Sequence, residues 1–334
     1  MPQHFSAVKP LGFAAIVLSL AGCANIAQNN AVTAPSIAPL KPFATDVATQ
    51  RAHAVQLQLF LDGHNFRPGA VDGRTGEFFT KALHEYNAAN GIPGSTLPDV
   101  TEIDPYTTYT VTADDLSRVG TMAADNAEIA KQKSCPYTSL ISVIAERFHT
   151  TRALLSALNP ERDLDQLQAG DSLQVPNVAH PFRIDELPAI TKTPRNPSLA
   201  GRKINIDLSS RTLQVRDKDK VVASFPITPG SSDHPAPIGD WKITGIATFP
   251  WFRYDEGVLE RGERTEDFFN IPPGPRNPVG ILWMQLNRPG DGIHGSPNPE
   301  TIGRAGSHGC IRLANWDAAL IRTLVTTGTP VSIH

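Results

Sequence analysis

The sequence predicts a multidomain chain: a mainly-β domain of sandwich type over residues 202–334, preceded by a small helical domain and a short α+β module. Three observations carry this prediction. From Arg202 onward, apolar residues alternate over short stretches broken by turns, the pattern of strands packed on one face. Upstream, from Asp46, they recur at helical spacing on both sides of a glycine-rich loop. Between these regions, residues 179–201 carry Pro181, Pro188, Pro194 and Pro197 and read as a semi-rigid linker. A chain of 334 residues accommodates two or three domains of about 100–200 residues each.

The first element, residues 1–23, has a basic start at Lys9, an apolar run from Leu11 to Leu20, and Leu20-Ala21-Gly22-Cys23. That is the layout of an export signal. The run falls short of the roughly 20 apolar residues of a membrane span. Its last four residues resemble the bacterial lipoprotein signal, which implies lipidation of Cys23. Ala24 and Asn25 follow, with no aspartate of the inner-membrane retention pattern, so the expectation is an exported protein anchored in the outer membrane and facing the periplasm. Residues 24–45, rich in Ala, Asn, Pro, Ser and Thr, have no means of burying a core and read as a flexible tether.

Residues 46–100 hold the helical domain. Val55, Leu57, Leu59, Phe60 and Leu61 form an apolar ridge that Asp62-Gly63 ends. The loop Arg67–Gly76 follows, then a helix from Glu77 to Ala89 that buries Phe79, Leu83 and Tyr86 and stops at Asn90-Gly91. Gln58-Leu59-Phe60-Leu61 and Gly69-Ala70-Val71-Asp72-Gly73 resemble the small peptidoglycan-binding domain; a plain helical spacer is the alternative.

Residues 101–178 begin with a strand at Tyr106–Val111, then a helix start capped by Thr112. Two amphipathic helices follow, Leu140–Phe148 and Thr151–Leu158, with Asn159-Pro160 as a breaker and Leu173–Pro176 as a closing strand. Ile144–Phe148, Leu154–Pro160 and Ala169–Pro176 resemble a LysM module, a family that binds N-acetylglucosamine chains. Cys135-Pro136-Tyr137-Thr138 occupies the place of that family's first strand, so a module that packs on its neighbour is an equal alternative.

In residues 202–334 strands are expected at Ile204–Leu208, Thr212–Val215 and Val221–Ile227, a helix at Trp316–Thr326, and a last strand at Thr329–Ile333. Asn315 and Trp316 open that helix and read as capping and packing residues. A formal net charge of −3 leaves no basic field for nucleic acid.

The chemistry centres on Ser307-His308-Gly309-Cys310-Ile311-Arg312 with Ile293-His294-Gly295-Ser296 upstream. A thiol among glycines, with histidines and an arginine close by, suits a sulfur nucleophile: a base or cation holds the thiolate and small neighbours admit a carbonyl. Gly309 and Cys310 offer backbone N–H groups to an oxyanion, worth about 3–4 kcal/mol per donor in other acyl-transfer enzymes. Of the three cysteines, Cys310 is expected free and Cys135 a bystander, although export permits a disulfide. His234, His294, His308 and Cys310 lack metal-ligand spacing, so neither metal nor cofactor is expected.

Together with Pro229-Gly230, Pro237–Trp241 and Pro273–Gly280, these motifs make residues 202–334 resemble the L,D-transpeptidase catalytic domain, the YkuD fold. The resemblance implies acyl transfer on peptidoglycan, with a tetrapeptide stem as donor, release of D-alanine and a thioester on Cys310. It makes His294 the general base, with the Gly295 carbonyl orienting its ring, and Arg312 an anchor for a stem carboxylate, a structural salt bridge being the alternative. Ser307 and His308 fall on the substrate side; His308 is open to oxyanion, loop-holding or substrate contacts. Trp251 and Tyr254 lie where such enzymes carry a flap, and a core role suits them equally. The expected partners are stem peptides, glycan strands and the membrane through Cys23. The acceptor is a second stem's amine, giving a 3→3 cross-link, a protein lysine or a D-amino acid. Water as acceptor makes an L,D-carboxypeptidase or a cross-link amidase, and a non-catalytic wall-binding lipoprotein is the rival.

Overall fold

The computed structural model describes residues 46–190, 192–304, 306 and 309–334, leaving aside the side chain of Leu259. The export segment, Cys23, the tether, Ser307 and His308 lie outside the described residues. The described residues belong to one compact unit.

Helix α1 (Val47–Gly63) starts at Asp46, whose carboxylate accepts from Thr49 N–H at 2.9 Å, and it buries Val55, Leu57 and Leu61. Helix α2 (Glu77–Asn90) ends on Gly91, which takes the left-handed conformation at φ 68°. Gln58 ties the loop between them: its amide donates to Asp72 at 3.0 Å and its oxygen accepts from Gly73 N–H at 2.9 Å. The glutamine and the Asp-Gly pair of this loop therefore serve each other.

Strand β1 (Tyr106–Thr110) leads through α3 (Ala113–Ser117), α4 (Asn126–Ile129), α5 (Leu140–Arg147) and α6 (Arg152–Leu158) to β2 (Ser172–Pro176). Thr112 and Asp115 form a capping box at α3. β1 and β2 pair antiparallel, Tyr106 opposite Pro176 and Thr110 opposite Ser172. β2 thus has Tyr106–Thr110 as its partner strand, with α3 and α4 as an excursion before α5.

The remaining strands are β3 (Arg202–Asp207), β4 (Thr212–Asp217), β5 (Lys220–Pro226), β6 (Gly239–Thr248), β7 (Phe252–Tyr254), β8 (Phe269–Ile271), β9 (Leu282–Leu286), β10 (Gly292–His294), β11 (Ile311–Arg312) and β12 (Pro330–Ile333), with helices α7 (Glu256–Arg261) and α8 (Asn315–Leu324). Eight of them form one mixed sheet ordered β11-β10-β9-β6-β12-β3-β4-β5. The domain is mainly β, as expected, with its sheet curled, and β6 joins the two halves. Its first residues pair with β12 and its later ones with β9. A bulge between Ile243 and Gly245 shifts the register, so that Ile243, Ile246 and Thr248 are all buried.

The N-terminal half covers the sheet's β5 edge. Arg67 N–H donates to Ser224 O at 2.8 Å and Ser224 N–H to Asn65 O at 2.9 Å, which pairs an otherwise open strand. Nearby, Arg67 sits buried between Asp62 and Asp317, His149 bonds Asp62 at 3.1 Å, and the His149 ring stacks on Trp316. The residues read as a linker also pack: Phe182 and Ile184 are buried, and Thr193 N–H bonds Ile246 O beside β6 at 2.7 Å.

Candidate active site

The site forms where β9, β10 and β11 lie side by side. β10 and β11 run parallel with His294 opposite Arg312, while β9 runs antiparallel and sets Trp283 opposite His294. Just before β11, the Cys310 thiol donates to Gly290 O at 3.6 Å and has the Gly292 N–H close by. Side chains alternate along a strand, so residues two apart share a face. Cys310, Arg312 and His294 therefore emerge on one side of the sheet. Gly292 keeps that side open; a Cβ there would lie 2.7 Å from the Trp283 ring.

His294 is buried, and its ring stacks on Trp283 with centroids 5.6 Å apart. Its Nδ1 lies 2.6 Å from the Gly295 carbonyl. A carbonyl only accepts, so Nδ1 carries the proton and Nε2 presents a lone pair. Gly309 has φ 100°, and a Cβ there would meet nothing closer than 3.4 Å. Its backbone conformation, more than crowding, is what requires glycine.

Burial holds the His294 imidazole far below its ordinary range, at about 3, and the positive charge of Arg312 acts the same way against the Gly295 hydrogen bond. Burial likewise pushes the Cys310 thiol up to about 11, with the neighbouring Asp291 carboxylate adding to the shift and Gly292 N–H and Arg312 opposing it. The resting pair is a neutral thiol and a neutral imidazole. Cys310 is half-buried and Cys135 fully buried; neither is in a disulfide, and burial pushes the Cys135 thiol up to about 11. Among the described residues Arg312 forms no ion pair and its buried Nε has no hydrogen-bond partner, while its Nη1 reaches Gly306 O at 3.2 Å.

Asn315 corrects the reading that made it a cap. Ala314 is the N-cap of α8, and the Asn315 side chain turns inward. Its Oδ1 accepts from Ser296 N–H at 3.2 Å and Ile281 N–H at 3.3 Å. Gly280 and Gly295 leave the room for it, and Gly280 also needs its φ of 61°. Asn277 does a similar service for the Pro-Gly-rich loop: its amide donates to Pro272 O at 2.8 Å and its oxygen accepts from Val279 N–H at 2.9 Å. That loop in turn holds Cys135, whose N–H bonds Pro273 O at 2.8 Å. Neither asparagine had a local sequence signal beyond the motif around Asn277. Trp251 is 61% exposed, so it is no core residue; it precedes the small ribbon β7–β8 that also carries the half-buried Tyr254.

A half-buried thiol, a neutral imidazole presenting Nε2 and a guanidinium with no ion pair among the described residues, on one sheet face, suit thiol-based acyl transfer. Residues 201–333 match the YkuD family, the L,D-transpeptidase catalytic domain. YkuD of Bacillus licheniformis is 31% identical over 198 residues, 59% of this chain and 94% of that protein. YkuD of Bacillus subtilis is 28% identical over 196 residues, 59% and 93% of the two chains. Among solved structures, an L,D-transpeptidase from Mycobacterium smegmatis aligns at TM-score 0.33 with 22% identity, covering 40% of this chain and 58% of that one. The chain belongs to the YkuD family and is an enzyme of the L,D-transpeptidase type. The family acts on peptidoglycan stem peptides.

Proposed function

We propose that this enzyme transfers an acyl group from a tetrapeptide stem through a thioester on Cys310. His294 Nε2 takes the thiol proton as sulfur attacks the carbonyl that joins the third residue to D-alanine. The oxyanion is met by the backbone N–H groups of Gly309 and Cys310. Collapse breaks the C–N bond, the imidazolium gives its proton to the leaving D-alanine amine, and the thioester remains. An amine then attacks, its proton passes to His294, and the Cys310 sulfur leaves and regains a proton. A second stem's side-chain amine gives a 3→3 cross-link; a protein lysine, a D-amino acid or water enters by the same chemistry.

The observation that carries this reading is the His294 Nδ1–Gly295 O hydrogen bond, which frees Nε2 on the face shared with Cys310. Arg312, with no ion pair among the described residues, binds the stem carboxylate in the same scheme. Ser307 and His308 complete the substrate side. The protein acts in the periplasm, held to the outer membrane by lipid on Cys23. Its peptidoglycan-binding-like and LysM-like parts keep the site close to glycan strands.

Purified protein mixed with a disaccharide-tetrapeptide is expected to release D-alanine and to gain the mass of the donor less D-alanine, on Cys310, by intact-mass spectrometry. Cys310→Ala abolishes both signals. A wild-type protein that gives neither signal but still binds sacculi would make it a non-catalytic wall-binding lipoprotein instead.

A further inference from the structure

A buried chain of hydrogen bonds leaves the His294 turn and ends in the N-terminal half. Asn315 Oδ1 holds Ser296 and Ile281 N–H, and its Nδ2 donates to Glu146 Oε1 at 3.0 Å and Pro275 O at 3.3 Å. The other Glu146 oxygen accepts from the Tyr137 hydroxyl. Asn315 is fully buried, and Glu146 and Tyr137 are each 2% exposed. Glu146 lies on α5 and makes no ion pair among the described residues; the charged and titratable groups facing this pair are Tyr137, Arg276 and Arg118. A buried carboxylate without a counter-charge is costly, and a neutral or apolar side chain would fill the space more cheaply.

The orientation of an asparagine amide depends on its partners. An ionised carboxylate only accepts, so Glu146 obliges Asn315 to turn Nδ2 toward it and Oδ1 toward the two backbone donors. We propose that Glu146 is a positioning residue for the acyl-transfer reaction: through Asn315 it sets the Gly295–Ser296 turn, and so the carbonyl that fixes the His294 ring. This rests on the reading of His294 as the base. The N-terminal half thereby becomes part of the catalytic apparatus. Burial raises the Glu146 carboxyl to about 7, against the Tyr137 and Asn315 hydrogen bonds. Once protonated, the acid must donate from one of the two oxygens that now accept.

The test measures single-turnover acylation of Cys310 by a disaccharide-tetrapeptide in the full chain. Glu146→Ala is expected to slow acylation about 10- to 100-fold, the scale of a misplaced catalytic group, with apparent KM little changed. Glu146→Gln, neutral like the protonated acid, keeps an acceptor but no longer obliges Asn315 to face it with Nδ2, so it acylates at all pH values at the lower rate the wild type reaches at acid pH. The wild-type rate falls below about pH 7 in step with Glu146 protonation, and Glu146→Gln removes that limb. His294 titrates far lower and does not produce it. In a double-mutant cycle Glu146→Ala and Asn315→Ala are strongly non-additive.

A folded Glu146→Ala protein with the wild-type rate, or additive effects with Asn315→Ala, overturns the proposal. If Glu146→Ala does not fold, the pH profile of Glu146→Gln decides, and an unchanged acid limb overturns it. Normal acylation by His294→Ala overturns the base assignment instead, whereas an essential His294 beside a silent Glu146→Ala removes only the positioning role.

Discussion

The Asn315 side-chain oxygen lies 2.4 Å from the position a Cβ on Gly295 would occupy. The turn that orients His294 is thus held from behind by a side chain that tolerates nothing larger than glycine. Gly295→Ala is expected to drive Asn315 off the Ser296 and Ile281 N–H groups. Overpacking of this kind costs about 1–3 kcal/mol, and each buried donor left unsatisfied adds about 1–3 kcal/mol. Acylation of Cys310 should fall about 100-fold as the ring loses its alignment. Thermal unfolding and intact-mass kinetics measure the two effects, and wild-type values for both would rule the clamp out.

A second prediction concerns the resting thiol. With the folded thiol raised to about 11, its thiolate is scarce at neutral pH. The iodoacetamide alkylation rate of Cys310 should climb steadily to beyond pH 10, without a plateau. In urea the same cysteine should behave as an ordinary thiol with a pKa of about 8.5 and react faster at pH 7. A plateau already reached below pH 8 in the folded enzyme would mean a standing thiolate–imidazolium pair, contrary to the burial of both groups.

Much of this site is legible in the sequence because its parts are local. The hexapeptide around Cys310 and the His294-Gly295 pair bring a thiol just before β11 and an imidazole on β10 together once those strands pair. Caps and stops such as Asp46, Thr112 and Gly91 are likewise written beside the helices they bound. What escapes the sequence is long-range polar contact. Glu146 and Asn315 meet across 169 residues, and nothing near either one marks the other. Tyr106–Thr110 finds β2 across an excursion that hides the pairing. The protonation state of the catalytic pair also escapes, since it follows from burial by the whole fold.

Asp317 supports a stability prediction. It and Asp62 flank the Arg67 guanidinium, but Asp62 holds the close contact and the His149 bond, while Asp317 sits 3.4 Å from Nε with no hydrogen bond among the described residues. Burial pushes the Asp317 carboxyl up to about 8 against the attraction of Arg67, and the Asp62 charge adds to the shift. In the unfolded chain it titrates near the ordinary 3.8. Between these values the folded protein binds more protons than the unfolded one, so this group lowers stability as pH rises from about 4 to about 8. Asp317→Asn removes the dependence. Its Tm should exceed the wild-type Tm by several degrees at pH 8, with the gap closing toward pH 4; a constant gap would place Asp317 ionised in the folded state.

The last prediction follows from the pairing of the β5 edge by Asn65 and Arg67 and from the bond between Cys135 and Pro273. A chain cut to residues 202–334 loses both, along with Glu146 behind Asn315 and Arg67 beside Asp317. It is left with an unpaired β5 edge strand and an Asn315 amide that keeps Pro275 O but has lost its carboxylate partner. Such a fragment should unfold without a cooperative transition, or at a much lower Tm, and should associate through the exposed β5 edge. Hydrogen exchange gives the sharper measurement. In the whole chain the Ser224 and Ser296 amides should be protected, and in the fragment they should exchange far faster. A fragment with whole-chain protection at both amides would mean that the C-terminal sheet stands without the N-terminal half.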